Sequence, residues 1–260
     1  MNKIIQQTKM IVSDLDETLL RTDKSISEYT KNVLMKCREL GIKVVYATGR
    51  GGSAEIRAPS HLFDGKITMN GAMAKIDNNV IYSRLIPYET ARPLLMACDK
   101  YGLKITSELS GMHFSNFNVS NEWSIITDFE IVDFSKHRID AEKLYMIIEK
   151  SDDIEFVKKN LSSGLYLTVS KDGLGQVMHK DATKSKAIAA LAQNWGIDRS
   201  EITAFGDDLN DIDMLKYVGI GVSVENAHEE VKKVSKYKCL CNNEDGVAKW
   251  IVNNIFNDMK

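Results

Sequence analysis

Three times the chain runs a short apolar stretch, rich in β-branched residues, straight into a polar cluster. Residues 10–13 lead into Asp14, residues 43–47 into Thr48-Gly49-Arg50, and residues 202–205 into Gly206-Asp207-Asp208. Continuous apolar runs of this length read as strands buried on both faces. A helix follows the first: Ser27 suits its N-cap, Val33, Leu34, Cys37 and Leu40 share a face over residues 27–40, and Gly41 suits its end. The unit recurs where residues 184–195 carry Ile188, Leu191 and Trp195 on one face and stop at Gly196, before the strand at Ile202. Residues 212–218 then read as helix, 219–222 as a buried strand and 226–234 as a short helix. Repeated βα units predict an α/β fold with a doubly wound, mostly parallel Rossmann-like sheet. In such sheets the polar clusters gather past the carboxyl ends of the strands. Asp14, Thr48 and Asp207 are therefore expected as neighbours.

Between residues 83 and 178 the pattern changes. Strand candidates at 104–107 and 165–169 alternate with helical candidates at 88–101, 141–150 and 153–161, without polar clusters at the strand ends. This predicts an α+β domain, residues 83–178, inserted into a core made of residues 1–82 and 179–260.

The 260 residues are 43% hydrophobic, enough for a sizeable core. Thirty-four basic and 36 acidic residues, well mixed, give a net charge of −2 and no broad field for nucleic acid or an anionic membrane, so neither is expected as a partner. No apolar run approaches the roughly 18 residues of a membrane span, and MNKIIQQTKM lacks a signal peptide's apolar core, so a cytoplasmic location is expected. Cys239 and Cys241 supply two thiolates where a structural zinc wants four ligands, and read as part of a late strand. The five histidines show no metal-ligand spacing.

The chemistry concentrates in IVSDLDETLL, residues 11–20, where three carboxylates crowd together. Side chains alternate along an extended chain, so Asp14 and Asp16 can flank one reacting group. One could bind a divalent cation and attack an electrophile, while the other protonates a leaving oxygen and then activates water. Taken alone, D-x-D-x-T also fits a capping loop. Thr48-Gly49-Arg50 adds a hydroxyl and backbone N–H groups suited to a phosphate oxygen. Lys184 opens a helix whose N-terminus favours anions. Gly206-Asp207-Asp208-Leu209-Asn210-Asp211 adds hard oxygen ligands of the kind that select Mg²⁺.

These four elements, in this order, resemble the haloacid dehalogenase (HAD) superfamily of phosphohydrolases. The long insert, with Ala47-Thr48-Gly49-Arg50, Asn70-Gly71-Ala72, residues 206–215 and Asn226-Ala227, looks like its Cof-type (IIB) branch, which carries a large cap domain. The resemblance implies that Asp14 is the nucleophile forming an aspartyl-phosphate, and Asp16 the general acid and base. It implies Mg²⁺ held by the Asp14 carboxylate, the Asp16 carbonyl and Asp207. It further implies that Thr48, Lys184 and Asn210 bind phosphate with the N–H groups of Leu15 and Gly49, and that Asp211 orients Lys184 or a metal-bound water. Three positions depart from the family: Glu17, Ser185 and Glu225 stand where glycine is common.

The function expected is a Mg²⁺-dependent phosphatase for small phosphorylated metabolites, sugar phosphates above all, with residues 83–178 as cap. A phosphosugar mutase would instead return the phosphoryl group to a sugar. A signalling receiver would hold it, but 260 residues exceed one receiver domain and Asp16 suits turnover. Within the insert, Glu108, His113 and Lys171 are polar candidates for selecting the substrate, and equally for plain surface.

Overall fold

The computed structural model describes residues 8–51, 54–124, 126–170 and 172–256. In chain order the elements begin β1 (Met10–Ser13), α1 (Glu28–Glu39), β2 (Lys43–Ala47), α2 (Ala54–Arg57), β3 (Gly65–Thr68), β4 (Met73–Ile76) and β5 (Asn79–Ser83). They continue with α3 (Tyr88–Tyr101), β6 (Ile105–Leu109), β7 (Met112–Ser115), β8 (Phe129–Ile131), β9 (Lys143–Ile147), α4 (Ser151–Asn160), β10 (Leu165–Val169) and β11 (Leu174–His179). The chain closes with α5 (Lys184–Trp195), β12 (Ile202–Gly206), α6 (Ile212–Tyr217), β13 (Ile220–Val224), α7 (Glu229–Val234), β14 (Tyr237–Cys239) and α8 (Gly246–Ile251). It divides into two compact units, Met1–Ser83 with Thr183–Lys260, and Arg84–Ala182.

The first unit holds an eight-stranded sheet in the order β14-β13-β12-β1-β2-β3-β4-β5. Pairing is parallel from β14 to β3 and antiparallel through β4 and β5. The expected doubly wound sheet is therefore present, extended by an antiparallel hairpin whose short, half-polar strands carry little periodic signal. Met10, Ile11 and Val12 are 0% exposed, which suits the central strand, each such side chain contributing about 1.5–3 kcal/mol. Ser13 is level with Phe205 on one neighbour and Tyr46 on the other, so Asp14, Thr48 and Asp207 leave the sheet at one edge.

The Ser27 cap is present as expected, its Oγ accepting the Thr30 N–H at 3.0 Å to start α1. At the start of α5 the cap is Thr183, to which sequence reasoning gave no role: its Oγ1 accepts the Lys186 N–H at 3.4 Å. The helix expected over 226–234 begins only at Glu229, because Asn226 is tied elsewhere: its Nδ2 donates to the Glu17 carbonyl at 2.7 Å. Cys239 ends β14, whereas Cys241 lies beyond it and donates from Sγ to Glu244; all four cysteines are free.

The second unit is α+β, its six-stranded sheet ordered β10-β11-β9-β6-β7-β8 and antiparallel except between β7 and β8. One expectation fails here. Residues 141–150 are not a helix but contain β9, which pairs with both β6 and β11. Leu144 and Met146, both 0% exposed, alternate with Lys143, Tyr145 and Ile147, and two ladders of hydrogen bonds outweigh the run's helical propensity. Glu108 and His113 are buried on β6 and β7 rather than plain surface, and Lys171 lies outside the described residues. No described helix is long and apolar enough to cross a membrane.

Candidate active site

Past β1 the chain turns sharply. The Leu19 N–H closes on the Asp14 carbonyl at 3.3 Å and the Leu20 N–H on the Leu15 carbonyl at 2.8 Å, while Glu17 takes a left-handed φ of 55°. A residue without Cβ would sit there freely, which accounts physically for glycine at this place in the family's pattern. Glu17 is held instead by its contacts: its carboxylate accepts from Lys24 at 2.8 Å, Asn242 at 3.2 Å and Thr22 at 3.3 Å.

Lys184, 0% exposed, reaches from the start of α5 to Asp14 Oδ1 and Asp211 Oδ1, both at 2.6 Å. Asp211 Oδ2 accepts the N–H groups of Asp207 at 2.9 Å and Asp208 at 3.1 Å, so both its oxygens are engaged within the protein. Thr18, the last residue of D-x-D-x-T, is buried and donates to Asp207 Oδ1 at 2.6 Å. Ligand atoms of Asp14, Asp207 and Asp211 lie within 4.8 Å of one another.

The electrostatics follow from this packing. Burial pushes the Asp14 carboxyl well above the ordinary carboxylate range; Lys184 opposes this, while Asp211 and Asp207 add to it. Asp207 is pushed up to about 7, chiefly by burial, against the Thr18 hydrogen bond. Burial disfavours a charged Lys184, but its two carboxylates more than offset this and hold the ammonium protonated. One buried cation thus faces three crowded acids, and hard oxygens carrying uncompensated negative charge suit a divalent cation.

Asp16 is handled differently. Arg50 grips its carboxylate with two bonds, Nε at 2.6 Å and Nη2 at 2.7 Å, and Lys24 stands 3.2 Å away. Burial alone would raise this carboxyl, yet Arg50 and then Lys24 bring it below its ordinary value. The two acids of D-x-D therefore have separate cationic partners.

Thr48 is 1% exposed and accepts the Arg50 N–H on Oγ1 at 3.1 Å. Asn210, in the turn after β12, donates from Nδ2 to Asn70 Oδ1 at 2.9 Å. Asn70 lies in the turn after β3, which packs on the start of α5 so closely that a Cβ on Gly71, at φ 100°, would lie 2.1 Å from the Thr183 carbonyl oxygen. Gly71→Ala is accordingly expected to cost more than about 3 kcal/mol of stability, read by denaturant unfolding.

Of the residues singled out from sequence, Asp14, Lys184, Asp207 and Asp211 meet directly, Asp16 joins Arg50, and Asn210 joins Asn70. Leu15 is fully buried between Asp14 and Asp16. Ser185 donates its N–H to Asp213 at 2.9 Å, and Glu225 is exposed. Sequence reasoning gave no role to Thr18, Lys24, Arg50 or Asn70. Thr18, Arg50 and Asn70 stood inside quoted motifs; Lys24, in an aperiodic loop, had no signal at all.

A buried lysine held between carboxylates at the carboxyl edge of a doubly wound sheet offers positive charge of the kind a phosphoryl group needs. The chain is a member of the haloacid dehalogenase-like hydrolase family, whose model matches residues 11–251. It is 28% identical over 255 residues to the 5-amino-6-(5-phospho-D-ribitylamino)uracil phosphatase YcsE of Bacillus subtilis, covering 94% of each chain. The solved HAD phosphatase BT1666 of Bacteroides thetaiotaomicron superposes with a TM-score of 0.83 at 26% identity, covering 97% of each chain. The subclass IIB sugar phosphatase BT4131 gives 0.79, also at 26% identity, over 95% of this chain and 98% of that one. This is therefore an enzyme of the subclass IIB branch, a phosphoric monoester hydrolase.

Proposed function

We propose that the protein is a cytoplasmic, Mg²⁺-dependent phosphatase that hydrolyses small phosphorylated metabolites, sugar phosphates in particular, through an aspartyl-phosphate on Asp14. The observation that carries this is the Asp14–Lys184–Asp211 chain, with Asp207 beside it. A nucleophilic carboxylate needs a cation to let a phosphoryl group approach, and Lys184 lies 2.6 Å from it. Sugar phosphates are favoured because BT4131 is named a sugar phosphatase, and because the YcsE name places the phosphate on a ribityl chain.

In this reading Asp14 attacks phosphorus, and Asp16 must exchange its pairing with Arg50 and Lys24 for a proton before it protonates the leaving oxygen, after which it takes a proton from the attacking water. Thr48, Lys184, Asn210 and the N–H groups of Leu15 and Gly49 hold phosphate oxygens. Asp14, the Asp16 carbonyl and Asp207 would hold Mg²⁺, with Asp211 setting Lys184. When bound, the ion supplies positive charge against the phosphoryl oxygens. The Arg84–Ala182 unit is assigned the choice of substrate.

A screen of phosphorylated metabolites with Mg²⁺ tests this: steady phosphate release is expected from p-nitrophenyl phosphate and, faster, from a sugar phosphate. No turnover across the panel would sink it, and isomerised sugar without free phosphate would indicate a mutase.

The metal dependence has a signature without substrate. Asp207 moves from an ordinary 3.8 to about 7 in the metal-free fold, so between these values the fold binds a proton that the unfolded chain does not. Stability in EDTA should therefore fall as pH rises through that window, and Mg²⁺ should restore more of it at pH 8 than at pH 5. Melting temperatures in EDTA and in Mg²⁺ measure this; an equal Mg²⁺ increment at both pH values would count against the site.

A further inference from the structure

Three consecutive residues in the turn after β3 have positive φ: Met69 at 51°, Asn70 at 51° and Gly71 at 100°. Such a run is costly, and it is held here by bonds to the phosphate-binding segment assigned above: the Met69 N–H donates to the Arg50 carbonyl and the Asn70 N–H to the Thr48 carbonyl, both at 2.9 Å. The turn thus aims the Asn70 side chain at two groups of that segment's surroundings. Its Oδ1 accepts from Asn210 Nδ2 at 2.9 Å, and the same oxygen lies 2.9 Å from where a Cβ on Gly49 would stand. Any side chain at position 49 would push the amide off Asn210.

A carboxamide can present either end to a ligand. Its nitrogen carries two hydrogens, its oxygen none. While Asn70 presents its oxygen, one hydrogen of Asn210 Nδ2 is committed to it and the second remains to be donated. Without that acceptor the amide could turn over and set its carbonyl oxygen against an anion. We propose that Asn70 is a positioning residue, which orients Asn210 as a donor to the phosphate oxygens. This rests on the reading of Asn210 as a phosphate ligand.

The alternative is that Asn70 merely tolerates the left-handed turn. Asn70→Gly separates the two, because glycine keeps that backbone and removes only the amide. The measurement is binding of inorganic phosphate to the full chain with Mg²⁺ present, by titration calorimetry, for wild type, Asn70→Gly, Asn210→Ala and the double variant. Each single substitution is expected to weaken binding about fivefold, and the double variant to bind no more weakly than Asn210→Ala alone. If the double loss equals the product of the two single losses, Asn70 does not act through Asn210 and the proposal falls. Unchanged binding by Asn70→Gly overturns it equally. No effect of Asn210→Ala removes Asn210 as a phosphate ligand and the proposal with it. Steady turnover by the wild type would still support the phosphatase reading in that case.

Discussion

Asp14→Asn is expected to lower the turnover of every substrate by at least about a thousandfold, since an amide cannot form the aspartyl-phosphate. The same substitution should raise the melting temperature in EDTA. In the metal-free fold the Asp14 carboxyl is pushed up by burial and by Asp211 and Asp207, so its charge is borne at a cost above its ordinary value. Asparagine removes that charge and leaves Lys184 its bond to Asp211, at 2.6 Å. Gain of stability with loss of turnover marks a group kept for chemistry rather than for folding. Initial rates and thermal melts on one preparation check both halves, and activity within tenfold of wild type would exclude Asp14 as the nucleophile.

Lys184→Met has the largest expected effect on stability. The lysine is 0% exposed and bonds two carboxylates, so methionine would fill its volume while leaving Asp14 and Asp211 buried without a cation. Removing one partner of such a network costs about 3–5 kcal/mol. The sign of the pH effect is fixed. Without Lys184 the Asp14 carboxyl, already raised by burial, rises further in the fold, the folded chain binds a proton that the unfolded chain releases, and the deficit grows from pH 5 to pH 8. In the wild type Lys184 stays protonated across this range, so its contribution persists. Denaturant unfolding at the two pH values measures this, and Lys184→Met combined with Asp211→Asn should recover part of the loss at pH 8. Turnover should be lost in both variants.

What could be read beforehand follows from how strongly each feature is determined locally. β1, β2 and β12 announce themselves as continuous apolar runs because both faces of a central strand are covered, and α1 and α5 each carry one cap visible in a single residue, Ser27 and Gly196. The convergence of Asp14, Thr48 and Asp207 then follows from topology, without any distance being known. β9 carries a mixed signal, because Leu144, Ile147 and Ile148 fall at helical spacing while Leu144, Met146 and Ile148 alternate, and only its place between β6 and β11 decides. The grip of Arg50 and Lys24 on Asp16 depends on where two long side chains end, which no spacing records. Asn70 could be quoted as part of a motif, but its left-handed backbone, and therefore its aim at Asn210, exists only in three dimensions.

The order of strands also sets a timetable. During synthesis β1 acquires β2 as a neighbour within about forty residues, as their positions in the chain dictate, but its other edge stays open until β12 has been made at Ile202–Gly206. By then the Arg84–Ala182 unit already has all six of its strands, each with its partners. The nascent chain therefore carries the edge of a buried, mostly apolar central strand through most of its growth, the kind of edge that pairs with strangers. Asp14 at the end of that strand waits as long for Asp207, so a chain stopped between Ala182 and Ile202 carries every strand of the inserted unit and no assembled site.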